Sequence, residues 1–208
     1  MEQLVEAIAN SISMAGLVQV EVSARHVHLS QADLEILFGP GAKLTPKREL
    51  SQWGQYLAEE RVNLIGSRSK KSNVAVLGPV RKETQVELSK SDCVELGIQA
   101  PIRESGDVGG SGSVAIEGPC GSLEIRQGVI IAQNHIHIPG KLAESLGLKD
   151  KERVSVHVFS ERPVIFRNVI IRVSDSFRFR MHIDFDEANA ASVNGFVFGK
   201  IIKSTERG

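Results

Sequence analysis

Long apolar runs are missing from this sequence; none approaches the roughly 20 residues that a helix needs to cross a bilayer. No membrane span is therefore expected. Cysteine is nearly missing too. Cys93 and Cys120 form neither a C-x-x-C pair nor a disulfide framework, which argues against a disulfide-stapled secreted domain and fits a reducing compartment. Net charge is absent, because 25 Lys+Arg balance 25 Asp+Glu, so no global field recruits a polyanion and nucleic acid is not an expected partner. The N-terminus shows no basic region followed by an apolar stretch, so no secretory signal is expected and a cytoplasmic location is. Aromatics are scarce, at 5%. What is present, 41% hydrophobic and 24% charged over 208 residues, is an ordinary globular composition with enough chain for one large core or two small ones.

Along the chain, Leu4, Ile8 and Ile12 recur at i, i+4 and i+8, which predicts a short amphipathic helix within residues 1–16. Such a helix packs on its own core or on a second subunit, or it serves as a targeting peptide for a protein shell. Beyond it, short β-branched runs such as Leu17-Val-Gln-Val-Glu-Val22, Val74-Ala-Val-Leu77, Val114-Ala-Ile116 and Val154-Ser-Val-His-Val158 alternate with Gly/Pro/Ser clusters. Many short strands separated by turns predict a mainly β, barrel-like protein with few, short helices.

A repeat underlies this pattern. HVHLSQADLEILFG (26–39), QVELSKSDCVELG (85–97) and HIHIPGKLAESLG (135–147) each read as a strand end, a cap, a short helix and a terminal Gly. Ser30 with Asp33, and Ser89 with Asp92, have capping-box spacing, and Gly39, Gly97 and Gly147 stand where a left-handed stop belongs. HIDFDEANAASVNG (182–195) reads as a looser fourth copy, with Asp186 as cap and Gly195 as stop. The irregular period favours two related barrels over a solenoid. The expected organisation is a helix over 1–16, a discontinuous first barrel from 17–58 and 133–203, and a second barrel over 59–132 inserted into it.

Side chains at i and i+2 of a strand share a face. The repeated strand ends therefore present His26 with His28, Gln85 with Glu87, His135 with His137, and His182 with Asp184. Five of the six histidines fall in this frame, while His157 lies mid-strand with no partner pattern. One H-x-H pair is weak evidence, since strand-edge histidines are common. Two pairs in equivalent frames, with a carboxylate and a fifth histidine, make a ligand set for zinc or a similar divalent metal, with enough donors for two ions and open positions left over. Arg81 follows a Gly-Pro turn just before the strand carrying Glu87; it is either a surface arginine or a planar fork for phosphate or carboxylate. Cys93 and Cys120 lack ligand spacing and read as packed thiols. GDVGGSGS (106–113) lacks the phosphate-loop pattern and reads as a flexible loop.

ARHVHLS, LGPVRKETQVELS, IRESGD, GVIIAQNHIHI and RMHIDFDEANAA, in that order, resemble the PduL-type phosphotransacylases, or phosphate propanoyltransferases. The likeness runs from about residue 17 to 203. It implies two β-barrel domains capped by short helices, a dinuclear zinc site, and transfer of a short acyl group between coenzyme A and inorganic phosphate. Carried over by motif, His26, His28 and Glu87 would hold one zinc and His135, His137 and His182 the other, with Arg81 as the catalytic arginine. Asp184 is not a ligand in that picture. Arg25, beside His26, would support the ligands or face CoA. Asn134 departs from the basic residue common before the second H-x-H and is assigned the same CoA-facing or supporting role; Trp53 stands where the family commonly has a smaller residue. The expected partners are acyl-CoA or CoA, phosphate, further copies in a homo-oligomer, and the proteins of a bacterial microcompartment if the enzyme works inside one. No cysteine sits beside a histidine in the sequence, which favours direct attack of phosphate on the thioester. The competing readings are a dizinc hydrolase of esters, thioesters or phosphoesters, and a non-enzymatic metal-binding module.

Overall fold

The computed structural model describes residues 1–203. In chain order the elements are α1 (Glu2–Met14), β1 (Leu17–Val22), β2 (His26–His28), α2 (Gln31–Phe38), β3 (Pro46–Glu49), β4 (Tyr56–Ile65), β5 (Lys70–Gly78), β6 (Gln85–Glu87) and α3 (Lys90–Leu96). There follow β7 (Ile102–Arg103), β8 (Gly112–Glu117), β9 (Ser122–Ala132), β10 (His135–Ile138), α4 (Gly140–Ser145), β11 (Arg153–Val158), β12 (Val164–Val173), β13 (Arg180–Ile183), α5 (Phe185–Ala190) and β14 (Val197–Ile202). The protein is mainly β with short helices, and its strands close two six-stranded barrels. No helix among the described residues is long and apolar enough to cross a membrane.

The chain divides into two compact units, residues 1–23 with 134 onward, and residues 24–133. In the first, strands run β1-β13-β10-β12-β11-β14 and return to β1. The pairs β1–β13 and β10–β12 are parallel and the others antiparallel. Alternate residues point inward, so Val18, Val20, Ile136, Ile138, Val156, Ile171, Met181 and Ile183 form the core. Fully burying each such side chain stabilises by about 1.5–3 kcal/mol. In the second unit the circuit is β4-β5-β2-β6-β9-β8, closed by β8 on β4, with β3 and β7 added outside it. Here β2–β5 and β6–β9 are the parallel pairs within the circuit. Val27, Val62, Leu64, Val76, Val86, Ile116 and Val129 fill the interior, and α2 and α3 add Leu34, Leu37, Cys93 and Leu96.

Both barrels are built from one unit used twice: a short strand, a helix, then two strands, the last parallel to the first. β2-α2-β4-β5, β6-α3-β8-β9 and β10-α4-β11-β12 are three copies. The fourth is β13-α5-β14, and β1 from the other end of the chain takes its last place, parallel to β13. The first barrel is thus a circular permutation of the second.

This explains where the expected boundary moves. Residues 24–58 were expected in the discontinuous barrel, yet they fall in the inserted unit. The reason is hydrogen bonding: β2 pairs with β5 and β6, so the chain changes barrel directly after β1. The fourth repeat also shifts. Its helix is capped by Asp184, whose carboxylate accepts from Glu187 N–H at 2.8 Å, and it ends at Ala190, five residues before Gly195. The same-face pair of that strand is therefore Arg180 with His182, and Asp184 is a cap equivalent to Ser30 and Ser89. The helix α1 forms over Glu2–Met14, and its Leu4, Val5 and Ile8 remain exposed. Cys93 is buried as expected, whereas Cys120 is exposed in the turn joining β8 to β9.

Candidate metal centres and anion site

In the second barrel, Val27 points into the core and its neighbours His26 and His28 point outward, yet both histidines are buried. Antiparallel pairing sets His26 opposite Glu87 and His28 opposite Gln85. The two imidazoles meet through Nε2 atoms 3.2 Å apart, and Glu87 Oε2 lies 3.5 Å from His26 Nε2. All three donors lie within 4.8 Å of one another. His26 Nδ1 is 2.8 Å from the Ala24 carbonyl, which turns Nε2 toward the cluster.

The electrostatics fit a cation. Burial alone would lower His26, but the Glu87 carboxylate overrides it and the group is raised. His28 is pushed well below its ordinary value by burial and by the charges of His26 and Arg81. Burial alone would raise Glu87, but His26, His28 and the Ser105 hydroxyl hold it far below the usual carboxylate range. An ionised carboxylate beside a neutral imidazole is the donor state that a borderline metal takes.

The first barrel presents its counterpart. His135 lies opposite His182, and His137 opposite Arg180. Ring centroids are 4.6 Å apart for His135–His137, 5.2 Å for His135–His182 and 4.9 Å for His137–His182. Their nitrogens also lie within 4.8 Å of one another, and Phe177 covers His137 at 4.1 Å. By register, His135 matches His26, His137 matches His28, His182 matches Glu87 and Arg180 matches Gln85.

Arg81 is pinned at the end of β2, where its N–H donates to the Leu29 carbonyl at 2.9 Å and its backbone bridges Ser30. The turn before it needs Gly78, because a Cβ there would lie 2.2 Å from the Tyr56 ring. Its guanidinium Nη1 donates to Ser105 Oγ at 3.0 Å. A cation whose field reaches His26 and His28 suits an anionic ligand.

Arg25 and Asn134, considered for CoA or for supporting the ligands, both make contacts that brace the strands. Asn134 is buried, and its Nδ2 donates to Glu187 Oε1 at 2.6 Å while its backbone carbonyl accepts from Ile170 N–H at 3.2 Å. It ties the start of β10 to α5 and so supports the strands carrying the histidines. Arg25 Nε donates to Asp92 Oδ1 at 2.9 Å, joining β2 to the N-terminus of α3. His157 sits mid-strand in β11 against Phe159, and among the described residues it belongs to neither donor cluster. Three residues were missed as participants. Gln85 and Ser105 contact Glu87 or Arg81, and Glu187 holds Asn134. Gln85 left a signal in the sequence by filling a repeat position that histidine fills elsewhere, and Glu187 by its capping-box spacing from Asp184.

Fold and site together define a β-rich, two-barrel protein with a three-donor cluster that could hold a metal ion in each barrel. The profile of the phosphate propanoyltransferase family matches residues 19–194. A phosphate propanoyltransferase of Clostridioides difficile is 45% identical over 203 residues, covering 98% of this chain and 97% of that protein. One of Listeria monocytogenes is 43% identical, with 98% and 95% covered, and one of Thermotoga maritima is 53% identical over 176 residues, 84% of each chain. The chain belongs to the phosphate propanoyltransferase family and is an enzyme of the phosphotransacylase class.

Proposed function

We propose that the protein moves a short acyl group between coenzyme A and inorganic phosphate, with a zinc ion in each histidine cluster. The observation that carries this reading is Arg81, whose guanidinium is held by Ser105 and acts on His26 and His28, beside a three-donor cluster that could hold a metal ion. His26, His28 and Glu87 hold one ion; His135, His137 and His182 hold the other. Bound zinc would supply positive charge for phosphate and for the departing CoA thiolate.

Arg81 binds phosphate and aligns one oxygen for attack on the thioester carbonyl. The new C–O bond forms as the C–S bond breaks, and the electron pair leaves on sulfur. Cys93 is buried on the inner face of α3 and Cys120 is exposed at a turn, and neither belongs to a donor cluster, so attack is direct. Gln85 and Asn134 support the ligands rather than touch substrate. The exposed Leu4, Val5 and Ile8 of α1 fit docking of residues 1–16 onto another protein, either a further copy or a microcompartment component.

The test is CoA release from propanoyl-CoA with and without phosphate, using wild type and Arg81→Ala. Release should require phosphate and follow sequential initial-rate kinetics. Arg81→Ala should keep its zinc by elemental analysis and lose on the order of 10²–10³ in kcat, by analogy with lost oxyanion donors. Phosphate-independent release would mark a hydrolase instead, and zinc retention without turnover in wild type would mark a metal-binding module.

A further inference from the structure

We propose that Gln85 and Ser105 are positioning residues that lock Glu87 and Arg81 into one hydrogen-bonded unit, so that the metal-ligand carboxylate and the phosphate-binding guanidinium keep a fixed register. The inference rests on the roles proposed above for Glu87 and Arg81.

Gln85 is 1% exposed, and its side-chain amide is fully engaged. One N–H donates to Glu87 Oε1 at 2.6 Å and the other to Ser105 Oγ at 2.9 Å. Its carbonyl accepts from Gly106 N–H at 2.7 Å. That backbone donor decides the orientation of the amide, since the flipped form would set N–H against N–H. Gly106 has φ +99°, a conformation that glycine adopts without strain, and it lets the loop aim its N–H at Gln85.

Ser105 closes the network. Its oxygen accepts from both Gln85 and Arg81 Nη1, which uses its two lone pairs. Its O–H is left to donate to Glu87. Glu87 therefore keeps Oε1 on Gln85 while Oε2 faces His26. A carboxylate restrained at one oxygen presents the other in a single direction, and a guanidinium anchored through Nη1 loses its swing. Both are conditions for a preorganised site. At the register-equivalent position of the other barrel, Arg180 stands in place of Gln85 and donates instead to Glu21 Oε1 at 2.9 Å.

The experiment uses the whole zinc-loaded protein and two measurements that need no turnover: calorimetric binding of inorganic phosphate, and zinc affinity by chelator competition. Ser105→Ala should weaken phosphate binding about ten-fold, the lower end of what loss of a ligand-supporting partner costs. Ser105→Thr, which keeps the hydroxyl, should restore it. In an Arg81→Ala background, Ser105→Ala should add no further loss of phosphate affinity, because its effect on phosphate passes through Arg81. Gln85→Leu should weaken zinc binding about ten-fold. Unchanged phosphate affinity in Ser105→Ala, or an additive loss with Arg81→Ala, overturns the proposal. So does unchanged zinc affinity in a folded Gln85→Leu; if that variant does not fold, the serine series decides. Tight zinc and phosphate binding without phosphate-dependent CoA release would overturn the proposed reaction and leave this coupling standing.

Discussion

Glu187 is a carboxylate whose charge the fold resists. Burial and the neighbouring Asp184 and Asp186 raise its pKa to about 7, against the pull of the Asp184 N–H and Asn134 amide donors. Unfolded, the group releases its proton near the ordinary value of 4.5. Between these points the native state holds more protons, so this contribution to stability is fully present below 4.5 and is lost as pH rises through about 7. Glu187→Gln should flatten that decline, narrowing or reversing the wild type's advantage by on the order of 2 kcal/mol between pH 4.5 and 7.5 in urea titrations. A pH-independent difference between the two proteins would refute it. The residue scale also shows what sequence can see. His26, His28, His135 and His137 were legible because strand alternation puts i and i+2 on one face. The Gln85–Ser105 bond joins residues 20 apart through a loop, and nothing local announces it.

At the scale of elements, four short strands each deliver their donors and then stop at a helix. Three of the four stops are side-chain caps, Ser30, Ser89 and Asp184, whereas α4 begins after Pro139 without one. The fourth copy was misaligned by two residues because HIDFD resembles the H-x-H frame. The Asp184–Glu187 capping box was the better guide, since a cap must supply an acceptor to the third residue of its helix. Asp184→Ala should cost about 1 kcal/mol, read as a lower urea midpoint with an unchanged slope. Asp186→Ala, at the position the sequence suggested as cap, should cost less. The reverse order would return the cap to Asp186.

Across the whole molecule, the two barrels share one topology but differ in how the chain closes them. The second is continuous over 24–133 and contains all six of its strands, its core and the donors His26, His28 and Glu87. A protein of residues 24–133 should therefore melt cooperatively and bind about one zinc, the occupancy of a single three-donor site. A non-cooperative melt would show that the unit is not autonomous. The first barrel depends on β1 from the far end of the chain, and without it β13 and β14 each lose a neighbour.

By itself the sequence determined the alternation that makes barrel strands, three of the four repeat frames and the two H-x-H pairs, while the grouping of Glu87 and His182 with them came from the family resemblance. Alternation, frames and pairs are local properties, written in period-two burial, capping chemistry and the spacing of histidines. Tertiary structure alone decided which barrel β2 joins, that β1 completes the last repeat, and that Asn134 is buried on Glu187. It also decided that Gln85 and Ser105 tie Glu87 to Arg81. These outcomes depend on pairing between segments far apart in the chain. Hydrogen-bond partners of that kind are chosen by closing the sheet, and no local pattern encodes the choice.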